Sequence, residues 1–125
     1  MKLSNGEIFA ASKALDVLLN KELPIKVGYK LLMLDKALAD QMTIIEKIRL
    51  DLLRKFGKAD EKGAIRLQPG SEIWSKFMAE FNEILVQEVE IELEKIGLPI
   101  EISIEENIKV EPAILLDLNK YVVIK

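Results

Sequence analysis

Cysteine and histidine are both missing from this 125-residue sequence. Without cysteine there is no disulfide framework, no thiolate nucleophile, and no thiolate ligand for zinc or an iron–sulfur cluster. Without histidine, the Ser-His-Asp triad, the histidine general base and the usual imidazole ligation of metals are excluded as well. Ser4, Ser12, Ser71, Ser75 and Ser103 therefore have no imidazole to activate them, and the six glycines are too scattered to form a phosphate-cradling loop. The many glutamates fall in alternating surface patterns, not in the cleft that paired-carboxylate glycoside hydrolysis needs. Chemistry would have to rest on carboxylates, lysines, two tyrosines or a borrowed cofactor. No such set stands out, so the chain reads as a non-enzyme with no catalytic residues, no cofactor and no metal.

Long apolar runs are also lacking. No stretch approaches the roughly 18–20 residues that span a bilayer. The opening Met1-Lys2-Leu3-Ser4-Asn5-Gly6-Glu7 lacks the apolar run and small-residue cleavage site of a signal peptide. The expectation is a cytoplasmic protein with no membrane partner. What the chain does have is core-forming material. Half its residues are hydrophobic, Ile and Leu alone fill 35 positions, and this composition argues against disorder. The length suits a single domain over residues 1–125.

The net charge of −3 conceals a division. Residues 1–66 carry 13 basic and 9 acidic side chains, whereas residues 67–125 carry 5 basic and 12 acidic. Solvated charged faces explain this in the ordinary way. A sharper reading has the acidic part of one chain meeting the basic half of another.

Periodicity supplies the architecture. Ser4 and Glu7 fit a capping box, and Ile8, Ala11, Leu15 and Leu18 follow at helical spacing, predicting a helix over about 5–20. Pro24 ends it. Leu31, Leu34, Leu38, Met42, Ile45, Ile48, Leu52 and Phe56 then run unbroken, predicting a second helix over about 25–56 that Gly57 terminates. At 1.5 Å per residue it extends roughly 45 Å, beyond the roughly 25–30 Å width of a domain this size. The first helix can cover only its first half; the rest needs a third helix or a second copy of the chain. Residues 58–70 read as a loop, with Ile65-Arg66-Leu67 as one short strand. Ser71 caps a third helix, about 71–87, whose Trp74, Phe77, Phe81 and Ile84 stripe makes it the expected central packing surface.

The period then changes to two. Residues 88–95 and 100–105 alternate as strands, separated by Gly97-Leu98-Pro99, and together suit a small antiparallel segment. Pro112 opens a short helix, about 112–119, and 121–124 suits a third strand. The fold class is α+β, mainly helical: an N-terminal antiparallel helical hairpin, a third amphipathic helix, then a small β segment and a short helix.

Two charged constellations are candidate partner-binding residues. Glu88, Glu90, Glu92 and Glu94 would line one strand face, either solvated, or docking a basic surface, or holding a hard cation. Same-face neighbours on a strand stand roughly 6–7 Å apart, too far for all four to converge on one ion. If Glu101 and Glu105 paired across from this face, the like charges would repel unless something basic covered them. Lys47, Arg49, Arg54 and Lys55, joined by Lys58, Lys62 and Arg66, gather around the end of the second helix. Nucleic-acid binding is one reading of them. Interleaved Glu46, Asp51, Asp60 and Glu61, and the absence of a stacking aromatic among them, weigh against it.

The sequence also resembles a group of small proteins encoded by tailed phages and prophages. The likeness is carried by Leu3-Ser4-Asn5-Gly6-Glu7-Ile8, by Leu23-Pro24-Ile25-Lys26 ahead of a helix ending Arg49 to Phe56-Gly57, and by Gly70-Ser71-Glu72-Ile73-Trp74-Ser75-Lys76-Phe77 leading to Glu80-Phe81-Asn82-Glu83. Glu88-Val89-Glu90-Ile91 and Val110-Glu111-Pro112-Ala113 complete it over nearly the full length. The resemblance implies a phage or prophage origin, hence the host cytoplasm, and brings no catalytic or binding residue with it. The expected function is that of an accessory protein acting through protein–protein contacts as a homo-oligomer, or with a phage or host protein. The alternatives are a nucleic-acid-associated protein using the basic end of the second helix, and a small-molecule sponge or host-factor inhibitor.

Overall fold

The capping box forms as its residues predict. The Ser4 hydroxyl accepts from the Glu7 amide at 3.0 Å, and the Glu7 carboxylate accepts from the Ser4 amide at 3.1 Å. These bonds satisfy two donors that a helix start otherwise leaves open, and α1 (Asn5–Leu19) begins there. The computed structural model describes residues 1–59, 65–66, 71–102 and 111–124. After a turn at Pro24 comes α2 (Ile25–Phe56), which ends at Gly57. Gly57 is extended there, carrying the chain into β2 (Lys58–Ala59), which pairs antiparallel with β3 (Ile65–Arg66). Then follow α3 (Glu72–Leu85), capped by Ser71, β4 (Glu88–Glu90), a 3-10 turn (Glu94–Ile96), β5 (Ile100–Ile102), α4 (Pro112–Asp117) and β6 (Val122–Ile124). The protein is a mainly helical α+β fold built on the α1–α2 hairpin.

The core lies on the α1–α2 seam. Ile8, Ala11, Leu15 and Leu18 of α1 are fully buried, as are Leu31, Leu34, Leu38 and Ile45 of α2. This corrects the expectation that the third helix is the central surface. On α3 only Phe77 and Phe81 are buried, and Trp74 and Met78 pack half-exposed at the margin. Phe81 meets Phe9 of α1 edge-on, with ring centroids 5.7 Å apart. Beyond Ile45, α2 has no fully buried side chain; Leu52, Leu53 and Phe56 are half-buried. At 1.5 Å per residue α2 runs about 48 Å and α1 about 22 Å, so half of α2 runs past α1, and α3 packs against that part.

One buried polar residue ties three helices. Asn5 donates its side-chain amide to the Ile84 carbonyl of α3 at 2.9 Å and accepts from the Gln41 amide of α2 at 2.9 Å. Its backbone amide also bonds the Gln87 carbonyl at 2.8 Å. Beside it Gly6 permits close approach, because a Cβ there would stand 3.2 Å from the Leu85 carbonyl oxygen.

The β elements pair differently from the expected arrangement. A strand unrecognised in the sequence, β1 (Lys2–Ser4), runs antiparallel to β4 with Leu3 opposite Val89. β1 offers three residues, so β4 stops at Glu90 instead of continuing to 95. The next turn is 3-10, yet the alternation survives in burial: Leu93 is buried, Val89 and Ile91 are half-buried, and the four glutamates point outward. β5 pairs in parallel with β6, Ile100 opposite Val122, and not with β4 as an antiparallel neighbour. The α4 crossover brings β6 back in that direction, as a parallel pair requires. Residues 103–105 of the expected strand, Glu105 among them, lie outside the described residues.

Tyr121 closes this end of the core at 1% exposure, and its hydroxyl finds no hydrogen-bond partner among the described residues. Burial, with the Glu7 charge second, pushes its phenol up to about 12.

Two predictions follow from these buried polar groups. Asn5→Ala takes a partner from the Gln41 amide and one of two donors from the Ile84 carbonyl, which keeps the Gln87 amide at 3.2 Å, and is expected to lower unfolding free energy by about 1–3 kcal/mol in urea titrations. Tyr121→Phe removes an unpaired group, and is expected to leave stability unchanged or raise it by up to about 1 kcal/mol. In the parent chain stability falls as pH rises from the ordinary tyrosine value of 10.0 towards about 12, because the unfolded state ionises first. The Tyr121→Phe variant lacks that contribution to the alkaline loss.

Candidate functional site

A groove of about 590 Å³ runs along the outer side of the hairpin. Its wall is one stripe of α2: Asp35, Ala39, Thr43, Glu46, Leu50 and Arg54, with Met42, Lys47 and Asp51 beside them. On a 3.6-residue helix this stripe lies roughly a third of a turn from the buried Leu31/Leu34/Leu38/Ile45 row. α1 contributes Ser12 and Asp16 at one end, where the two helices run side by side.

The ends of the groove differ in charge. At one, Asp16 and Asp35 stand together. Burial holds the Asp35 carboxyl above its ordinary range, and the Asp16 charge pushes in the same direction. At the other end, Asp51 takes Lys47 at 3.2 Å and Arg54 at 3.7 Å. Between them Ala39, Met42 and Leu50 form an apolar bed, with Leu50 42% exposed. Among the described residues no group of three acidic side chains is placed to hold a metal ion. The arrangement suits a surface or molecule that presents an apolar middle and complementary charges at its ends.

Of the basic residues singled out in the sequence, Lys47, Arg49, Arg54 and Lys55 lie on the last turns of α2 with their charges engaged, whereas Lys58 falls on β2 and Arg66 on β3. Arg49 makes a two-nitrogen contact with Glu46, closest at 3.0 Å, and both are partly buried. Lys47 and Arg54 share Asp51, and Lys55 reaches across to Glu80 of α3 at 2.9 Å. A phosphate backbone would have to displace these carboxylates. Lys62 is outside the described residues. The acidic residues are divided in a similar way. Glu88 pairs with Lys2 at 3.3 Å and Glu90 with the N-terminal ammonium at 2.9 Å, across the β1–β4 ladder. Glu92 and Glu94 are exposed on the turn that follows. The two constellations therefore do not meet in one site. Part of the charge division is resolved within one chain, because Lys55–Glu80 and Lys2–Glu88 each join a base of the first half to an acid of the second.

Sequence reading passed over Asp16, Asp35, Ala39 and Leu50. Their signal is a second helical period beside the core stripe, faint because only two of its six α2 positions are apolar. Met42, expected in the core row, instead borders the groove half-exposed.

No family model, curated protein or solved structure matches the chain.

The Lys55–Glu80 pair links α2 to α3 while solvent still reaches both groups. A double-mutant cycle with Lys55→Gln and Glu80→Gln is expected to return a coupling of about 0.2–1 kcal/mol, shrinking as salt is raised.

Proposed function

We infer that this chain is a non-enzymatic accessory protein of phage or prophage origin, working in the host cytoplasm through protein–protein contacts as a homo-oligomer. The observation that carries the reading is the exposed outer face of α2. The helix outruns α1, keeps Leu50 42% exposed, and borders a groove with an apolar bed between charged ends. Such a face gains by meeting another protein surface. The paired state of Lys47, Arg49 and Lys55 favours this reading over nucleic-acid binding. The phage origin rests on the sequence resemblance, and flanking genes that encode phage proteins would support it.

Light scattering and sedimentation of the full chain at micromolar concentration test the association. The expected result is a defined oligomer whose dissociation depends on concentration and rises with salt. A monomer under all these conditions would overturn the homo-oligomer.

A further inference from the structure

The α2 stripe along the groove has a symmetry of its own. Asp35, Ala39, Thr43, Glu46, Leu50 and Arg54 follow one another in steps of four, four, three, four and four. Read backwards the steps are the same. Reversing the helix about the midpoint between Ile44 and Ile45 lays position 35 on 54, 39 on 50, and 43 on 46.

The residues exchanged by that reversal complement one another. Asp35 meets Arg54, an acid against a base. Small Ala39 meets Leu50, which is 42% exposed. Thr43 meets Glu46 near the centre. We propose that the groove is the seat of a second copy of this chain, the two α2 helices crossing antiparallel about a two-fold axis level with residues 44 and 45, so that Asp35 of each faces Arg54 of the other and Leu50 of each covers Ala39 of the other. This rests on the homo-oligomer reading and specifies its surface.

Charge selects this orientation. Asp16 and Asp35 make no ion pair among the described residues, and they sit at the end that receives the second copy's Arg54. A parallel arrangement would set Asp35 against Asp35 and Arg54 against Arg54. The predominance of four-residue steps inclines the stripe to the helix axis in the sense of the i±4 rows. The mean step, slightly longer than a 3.6-residue turn, drifts slowly round the helix, so two such stripes stay together in a shallow right-handed wrap. The interface is isologous, as a two-fold dimer requires. Arg54 leaves a long 3.7 Å contact with Asp51 to make it.

The absence of native cysteine makes the register directly readable. Chains carrying Ala39→Cys mixed with chains carrying Leu50→Cys are expected to form a disulfide-linked heterodimer under mild oxidation. Ala39→Cys alone should form little, because the two copies of position 39 stand roughly 16 Å apart along the helices. In parallel, Asp35→Arg alone and Arg54→Asp alone should each weaken self-association by about tenfold or more, since each alters two symmetric contacts. The double variant should recover most of the loss, which a merely structural role for either residue would not allow. Melting curves of each variant separate loss of association from loss of fold, and the cysteine pair reads the register without altering charge. An oligomer that neither links 39 to 50 nor shows the charge-swap recovery overturns this interface and leaves the association reading standing. A chain monomeric throughout overturns both. Native mass spectrometry showing a monomer that retains a small molecule assigns the groove to a ligand and overturns the proposal.

Discussion

Everything else in this protein is arranged around the α1–α2 seam. Eight aliphatic side chains, four from each helix, leave water completely there, and none carries a polar group that needs a partner. Burying a Leu or Ile side chain contributes about 1.5–3 kcal/mol, so these eight are the largest block of stabilisation in the described chain. α3 supplies two buried phenylalanines to this seam, and the β segments attach at its ends. The seam also sets the direction of α2, whose last turns lie beyond the reach of α1.

Polar contacts then fix how the pieces sit on that seam. Asn5 does most, because one buried side chain answers a carbonyl from α3 and an amide from α2 at the point where α1 begins. A hydrophobic residue there would fill the space but would not hold the start of α1, the end of α3 and the middle of α2 in register. The ion pairs differ in kind. Those at the surface contribute little each, yet Lys55–Glu80 and Lys2–Glu88 connect segments distant in sequence and neutralise part of the split between a basic first half and an acidic second half.

The proposed role grows from the same length mismatch. A 32-residue helix beside a 15-residue one leaves a face that the hairpin cannot cover. On that face, charge of one sign gathers where α1 ends, and cationic side chains gather near the free end of α2. The association we propose, with a reversed copy of the same helix, would follow from these dimensions and not from a separate motif.

Helix positions, their caps and the two-residue alternation of Glu88 to Glu94 were legible in the sequence, because they depend on neighbours a few positions away. The Ser4/Glu7 box, the Ser71 cap and Pro112 each act through local backbone geometry. What the alternation could not reveal was its partner. Leu3 belongs to a strand too short to show any period, and the pairing of β1 with β4 joins residues more than eighty positions apart. The parallel β5–β6 pairing and the engagement of the basic cluster are non-local in the same way. The groove was hidden for another reason: half of its α2 stripe is charged, so a hydrophobic pattern reads it as an ordinary solvated face. The sequence by itself determined the helices and which of their faces are apolar, because side-chain spacing and capping are local physics. Only the tertiary structure decided which strands meet, which charges are already paired and which face of α2 stays open, because each depends on what the rest of the chain brings alongside.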